Sequence, residues 1–300
     1  MIDGIINVYK EKGFTSHDVV AKLRGILRQK KIGHTGTLDP EAVGVLPVCL
    51  GKGTKLCDML TDHNKTYEVV MRLGVTTDTE DMTGTVLTTK DVYATEDEVK
   101  AVIEGFVGPM EQIPPMYSAL KVNGKKLYEL AREGKVIERK ARPITIDSIT
   151  ILEMNLPLVR MEIACSKGTY IRSICRDIGE KLQCGGCMDS LIRTKVGQFL
   201  IKDSLTLAEI EKLTKEEALL DYVVGIEEVF SNYEAVHMME KYNKLVYNGN
   251  PFDKEMIELF DQGRAGEKPI RVYDSKGTFI GIYQYEKQKK KFYPQKMFLS

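Results

Sequence analysis

No stretch of this 300-residue chain approaches the roughly 18 consecutive apolar residues of a membrane-spanning helix, which excludes membrane spans. Collagen-like and coiled-coil rods are excluded by the same composition, 43% hydrophobic and 29% charged, which is that of a globular protein. The opening MIDGIINVYKEKGF lacks a basic flank, a long apolar stretch and a small-residue cleavage site, so no secretory signal is read there and the expected compartment is the cytoplasm. No Walker loop, GxGxxG or HExxH motif occurs, and His17, His34, His63 and His237 form no i, i+4 pair. Metal and cofactors are therefore not expected. Of the six cysteines only Cys184-Gly-Gly-Cys187 has metal or redox spacing; without a second pair or a thioredoxin-like setting it reads as a Gly-containing turn, and the cysteines read as reduced thiols.

Net charge is also absent, 43 basic residues against 43 acidic, but its distribution is uneven. Five basic residues and no acidic one lie between Ala21 and Leu38. From Lys121 to Arg142 there are eight basic residues and three acidic ones, and Lys287, Lys289, Lys290, Lys291 and Lys296 form a third run. Ten carboxylates against three lysines between Ile201 and Glu240 restore the balance. A single run is usually a solvated face; three separated runs make a polyanion-binding surface a fair reading.

Periodicity predicts a helix over Thr15–Gln29 capped by Ser16, then an ordered loop from Ile32 to Val48, whose many Gly and Pro residues oppose regular structure. Tyr67–Leu73 reads as a strand with Gly84-Thr-Val-Leu opening its partner across an acidic turn. Thr95 and Glu98 make a capping box for a helix to about Phe106. Isoleucines 144, 146, 149 and 151 mark a strand, Leu158–Cys165 another, and Thr169–Leu182 a helix. Thr206 and Glu209 open an acidic helical stretch to about Phe230, and beyond Tyr233 short strands form a small β-rich module. Strands and helices mix without βαβ regularity, so the expected class is α+β.

Within Gly33-His34-Thr35-Gly36-Thr37-Leu38-Asp39-Pro40, one carboxylate sits between glycines beside a basic helix end. An isolated Asp-Pro is usually a turn, but a carboxylate beside a polyanion site needs a balancing cation. Arg172, in Cys165-Ser-Lys-Gly-Thr-Tyr170-Ile-Arg172, could pair with it bidentately. Tyr67, after Lys65 and Thr66, suits a base-stacking platform as well as an ordinary core position. Asp78, Glu80 and Asp81 read as capping residues of a turn. The residues alone point to an RNA- or DNA-handling protein with one special carboxylate.

Gly33-His-Thr-Gly-Thr-Leu-Asp-Pro-Glu-Ala-Val-Gly-Val-Leu-Pro-Val resembles the catalytic motif of the TruB family of tRNA pseudouridine synthases. Lys65-Thr-Tyr67 with Leu73-Gly-Val-Thr-Thr-Asp-Thr-Glu-Asp, Gln112–Lys121 with Tyr128–Gly134, Cys165–Ser173 and Leu191–Phe199 are similar to further segments of that family, in its order. The resemblance implies a pseudouridine synthase fold with a mixed sheet over residues 1–230, a thumb-like RNA-gripping insertion over 108–142, and a PUA-like module over 231–300. It implies Asp39 as the catalytic carboxylate, Arg172 as its partner, and Tyr67 stacked on the target base. For substrate binding it implies His34 filling the gap left by a flipped base, Leu191 walling the pocket, and Tyr170, Lys10 and Lys121 contributing. Lys10, Gly13, Thr15 and Ser16 resemble a motif that supports the catalytic loop; Glu11 stands where the family usually has Pro, which removes a fixed φ and predicts a looser loop. The implied substrate is the T-arm of tRNA, modified at uridine 55 by a monomer without a cofactor. Rival readings are the catalytic subunit of a guide-RNA pseudouridylation particle, a non-catalytic tRNA-binding or folding protein, and a glycoside hydrolase, which would need two carboxylates in one pocket.

Overall fold

A computed structural model describes residues 1–61, 63–122, 124–258 and 268–299; position 62, position 123 of the insertion and positions 259–267 and 300 of the C-terminal module lie outside the described residues. The chain opens with β1 (Gly4–Lys10), α1 (Ser16–Ile26), β2 (Ile32–His34) and β3 (Val43–Leu50). The short helix α2 (Cys57–Thr61) leads into β4 (Lys65–Leu73), where buried and half-buried residues alternate with the period of two of a pleated strand. The hairpin β5 (Val75–Thr77) and β6 (Val86–Thr89) precedes α3 (Glu96–Glu104) and β7 (Gly108–Gln112). In the basic insertion lie β8 (Lys121–Val122), β9 (Lys125–Lys126) and α4 (Leu127–Arg132). Then come β10 (Arg142–Asn155), β11 (Leu158–Cys165), α5 (Ile171–Lys181), β12 (Gly186–Val196), β13 (Phe199–Leu200), α6 (Leu207–Lys215) and β14 (Val223–Val224).

Ten strands form one sheet along the order β14-β1-β3-β12-β4-β11-β10-β7, with β2 beside β3 and β13 beside β12. β12 is parallel to β3 and antiparallel to β4, so the sheet is mixed and the class α+β. Apolar faces of α3 (Val99, Ile103) and α5 (Ile174, Ile178) cover Val69, Met71 and Ile163 of the central strands. α1 and α6 cover Ile6, Val8, Leu46 and Val48 of β1 and β3.

The C-terminal strands β15 (Glu234–Met238), β16 (Ile257–Glu258), β17 (Ile270–Tyr273), β18 (Phe279–Glu286) and β19 (Lys291–Met297) form a second, five-stranded sheet with its own core around Val272, Ile280, Tyr283 and Phe292. Its Ile282, with Phe298 just past β19, packs against Ile5, Val45 and Cys49 of the large sheet, one continuous apolar layer. That is why β1 is buried on both faces: Ile6 and Val8 look toward the helices, Ile5 toward the second sheet. Among the described residues no helix is long and apolar enough to cross a membrane.

Several expectations are corrected. Thr15, not Ser16, caps α1, in a reciprocal box with Asp18, and Ser16 is buried beneath the next loop. The Ile32–Val48 run is a loop only in its middle, because both ends pair as β2 and β3. The Gly84–Leu87 segment does not pair with Tyr67–Leu73: Gly74, at φ 82°, turns the chain, so Val86–Thr89 pairs with Val75–Thr77, and β4 takes β11 and β12 as neighbours. The acidic helix stops at Lys215, where Glu217 adopts φ 58° and the Ala218 and Glu217 N–H groups close back on the Leu213 and Thr214 carbonyls, a Schellman ending without glycine. The phase change between Ile146 and Ile149 is a bulge in β10.

Candidate active site

Asp39 sits on the loop between β2 and β3, whose backbone is tied at nearly every residue. The Thr35 N–H donates to the Pro47 carbonyl (3.2 Å), and the Leu38 N–H donates to Ser16 Oγ (3.0 Å). Lys10, with no exposed surface, donates from Nζ to the carbonyls of Glu11 (3.1 Å), Pro40 (3.0 Å) and Ala42 (2.6 Å). The Gly13 N–H adds a bond to the Pro40 carbonyl (2.9 Å), so the segment at Glu11 is held even without proline. Burial pushes the Lys10 ammonium down to about 8, against the raising influence of Asp39 and Glu41. Lys10 is thus a support of the loop and is corrected as a substrate-contacting residue, since all its donors face backbone oxygens.

A second buried cation lies on the loop's other side. Arg193 of β12, 1% exposed, donates from Nε to the Val45 carbonyl (2.7 Å) and from Nη2 to the Gly36 carbonyl (3.3 Å), and it meets the Tyr67 hydroxyl. The parallel pairing of Arg193 with Gly44 brings the two backbones so close that a Cβ at Gly44, φ 107°, would collide with the Arg193 carbonyl. Sequence reasoning passed over Arg193; its only signal was its position two residues after Leu191, on the same face of one strand.

The cation expected for Asp39 is Arg172, in the first turn of α5. Its Nε lies 3.1 Å from Asp39 Oδ2 and its Nη2 3.3 Å from Oδ1, a two-point contact; the guanidinium side chain is 6% exposed and the carboxylate side chain 38%. The Arg172 donors left over go to the Thr79 carbonyl (2.9 Å) and the Tyr117 carbonyl (2.8 Å), and Asp81 stands 3.8 Å from Nε. Burial raises the Asp39 carboxyl above the ordinary carboxylate range and Asp81 adds to the rise, while Arg172 and Lys10 pull it down. The acidic turn read as simple capping therefore also supplies backbone and charge to the site.

Tyr67, 8% exposed, is in register with Ile163 on one side and Arg193 on the other. It shares one apolar cluster with Leu38 and Leu191. Burial raises its phenol above its usual value, with Arg193 opposing, so the hydroxyl is neutral. His34 ends β2 half-buried; its Nδ1 accepts from the Gly36 N–H (3.3 Å), and its ring meets His17 edge-on at 5.3 Å. Burial, then His17 and Arg193, lower its pKa. Tyr170, just before α5, exchanges two bonds with Gln112 of β7, 2.9 and 3.0 Å. Lys121 is exposed on the β8–β9 hairpin, apart from this cluster. Among the described residues no group of three His, Cys, Asp or Glu side chains is placed to hold a metal ion.

The Asp39 carboxylate, paired at two points with a buried arginine, thus follows Leu38, which shares one apolar cluster with Tyr67 and Leu191 of the mixed sheet. The family model described as TruB family pseudouridylate synthase, N-terminal domain, matches residues 24–171, and that of the tRNA pseudouridylate synthase B C-terminal domain matches 172–231. The chain belongs to the TruB family. It is similar to the tRNA pseudouridine synthase B of Lachnoclostridium phytofermentans, 56% identical across 99% of this chain and 100% of that protein. With that of Clostridium novyi it shares 47% identity over 94% of this chain and 95% of the relative. Among solved structures, a chain in the crystal structure of a Cbf5-Nop10-Gar1 complex superposes with a TM-score of 0.75 at 27% identity, covering 99% of this chain and 85% of that one.

Proposed function

We propose that this chain converts uridine 55 in the T-loop of tRNA to pseudouridine, as a cytoplasmic monomer, with Asp39 as the catalytic carboxylate. The observation that carries the reading is the two-point Asp39–Arg172 pair, next in sequence to Leu38 of the cluster that holds Tyr67 and Leu191. The isomerisation breaks the bond from uracil N1 to the sugar C1′, turns the base and joins C5 to C1′; the C5 proton is lost to water and N1 takes up a proton in its place. Atoms and charge balance without an oxidant. An ionised Asp39 meets the positive charge that develops at C1′, by attack or by electrostatic balance, and Arg172 fixes the direction of its lone pairs. Tyr67 gives the base a ring to stack on while it turns.

The target uridine is stacked inside a folded loop and must be flipped out, and His34, half-buried at the end of β2, fills the vacated place. The basic 108–142 insertion with Lys121 and the 231–300 module grip the RNA by shape and phosphate contacts. Tyr170, tied to the root of that insertion through Gln112, links the grip to the pocket. The likeness to the Cbf5 chain supports one other reading, a subunit that works with a guide RNA.

The test is tritium release from an unmodified tRNA transcript labelled at uridine C5, with no guide RNA, for wild type and Asp39→Asn. About one tritium per transcript from wild type alone, mapped to the T-loop, supports the reading. Release only with an added guide RNA favours the subunit, and salt-sensitive binding without release leaves a binding or folding protein.

A further inference from the structure

The turn between β5 and β6 contains a residue in an unusual conformation. Glu80 has φ 63°, which costs a side-chain-bearing residue on the order of 1 kcal/mol and persists only where its surroundings hold it. Here they do. The Glu80 N–H donates to the Thr77 carbonyl (3.3 Å), and the Glu80 carbonyl accepts from the Met188 N–H on β12 (3.0 Å). Both carboxylate oxygens reach α5: Ser173 Oγ donates to Oε2 at 2.6 Å, and Arg176 pairs with Oε1. Arg176 is held in turn by Asp177, which accepts from Nε at 2.8 Å and Nη2 at 2.6 Å.

Ser173 and Arg176 stand one and four positions beyond Arg172 on the same helix. The turn is therefore pinned to α5 where Arg172 leaves it, and the preceding residue, Thr79, turns its carbonyl onto Arg172 Nη1. Three contacts close a triangle of Glu80, the first turns of α5, and the guanidinium facing Asp39. The side chains of Glu80 and Arg176 are 11% and 21% exposed, sheltered enough for the pair to outweigh an ordinary surface ion pair.

We infer that Glu80 and Arg176 form a positioning clamp, holding the Thr77–Gly84 turn against α5 so that the Thr79 carbonyl aims Arg172 at Asp39. The clamp rests on the reading of Asp39 and Arg172 as the reacting pair, and it acts only through Arg172.

The experiment uses the full chain and an unmodified tRNA transcript, comparing wild type, Glu80→Gln, Arg176→Met and the double variant. Single-turnover rate, tRNA Kd and melting temperature are measured for each. Glu80→Gln keeps an acceptor for Ser173 and tests the clamp without removing a side chain. Each single substitution is expected to slow the chemical step roughly tenfold, with Kd within about twofold, and the double to be no slower than the worse single. A rate within about twofold of wild type overturns the clamp, whatever the melting temperature does, and so do losses that multiply in the double variant. Asp39→Asn in the same assay separates the two ideas. Full activity there removes the reacting pair itself, whereas an inactive Asp39→Asn beside fully active clamp variants removes only the clamp.

Discussion

Arg172 grips Asp39 with Nε and Nη2 while its Nη1 is held by the Thr79 carbonyl and its Nη2 also by the Tyr117 carbonyl, so its direction is fixed by backbone outside the Asp39 loop. The Asp39 carboxylate takes its orientation, through Arg172, from two chain segments, both far from it in sequence.

The first prediction concerns pH. Burial raises the Asp39 carboxyl and Arg172 opposes that rise, so the acid limb of the single-turnover rate lies above the ordinary aspartate value of about 4. Arg172→Met removes the opposing charge. The limb is expected to move further up, and the plateau to fall on the order of a hundredfold. A limb that stays in place in the variant would show that Arg172 does not govern the ionisation of Asp39.

Lys10→Met leaves the carbonyls of Glu11, Pro40 and Ala42 without their shared donor, at a cost of about 1–3 kcal/mol measured by denaturant melts. The pH dependence has a definite sign. Lys10 loses its proton at about 8 in the folded protein and at 10.5 when unfolded, so between these values the unfolded chain binds more protons. The stability of wild type relative to Lys10→Met should rise with pH across that window. A flat difference would contradict it.

At Gly44 a methyl group meets the Arg193 carbonyl, on a backbone at φ 107°. Gly44→Ala should destabilise by about 2–4 kcal/mol and loosen the β3–β12 pairing behind Tyr67. Hydrogen exchange of the Arg193 and Val45 amides reads the effect directly, and unchanged protection would refute it.

Phe298→Ala opens a cavity in the layer shared by the two sheets and should cost about 3–5 kcal/mol. Calorimetry of the wild type should show one transition, because neither sheet can unfold without exposing the layer they share. Two separated transitions would mean the shared layer is not cohesive.

Much of this site was legible because its chemistry is concentrated in continuous motifs. Asp39 lay in a loop too rich in glycine and threonine to be an ordinary turn, and a balancing arginine was demanded by electrostatics before it was located. Arg193 escaped because a buried arginine two residues from a leucine looks like any strand residue; only the parallel pairing with Gly44 places it under the loop. Glu80 escaped because its partners, Ser173 and Arg176, are 93 and 96 residues away. Helix ends were misjudged where non-glycine residues, Arg28 and Glu217, take the left-handed conformation at the stop, since glycine is the usual sign. The Gly84–Leu87 pairing failed because one glycine redirected the chain out of the sheet.

The Asp39 loop is fastened by two buried cations, a serine hydroxyl and its own amides before any RNA arrives. Its conformational entropy is lost during folding, so the encounter complex carries no further ordering cost for that segment. On the proposed reading, the free energy released by gripping the RNA then remains available for unstacking the uridine. On that same reading, the step that this held loop leaves to the nucleic acid is the opening of the uridine itself.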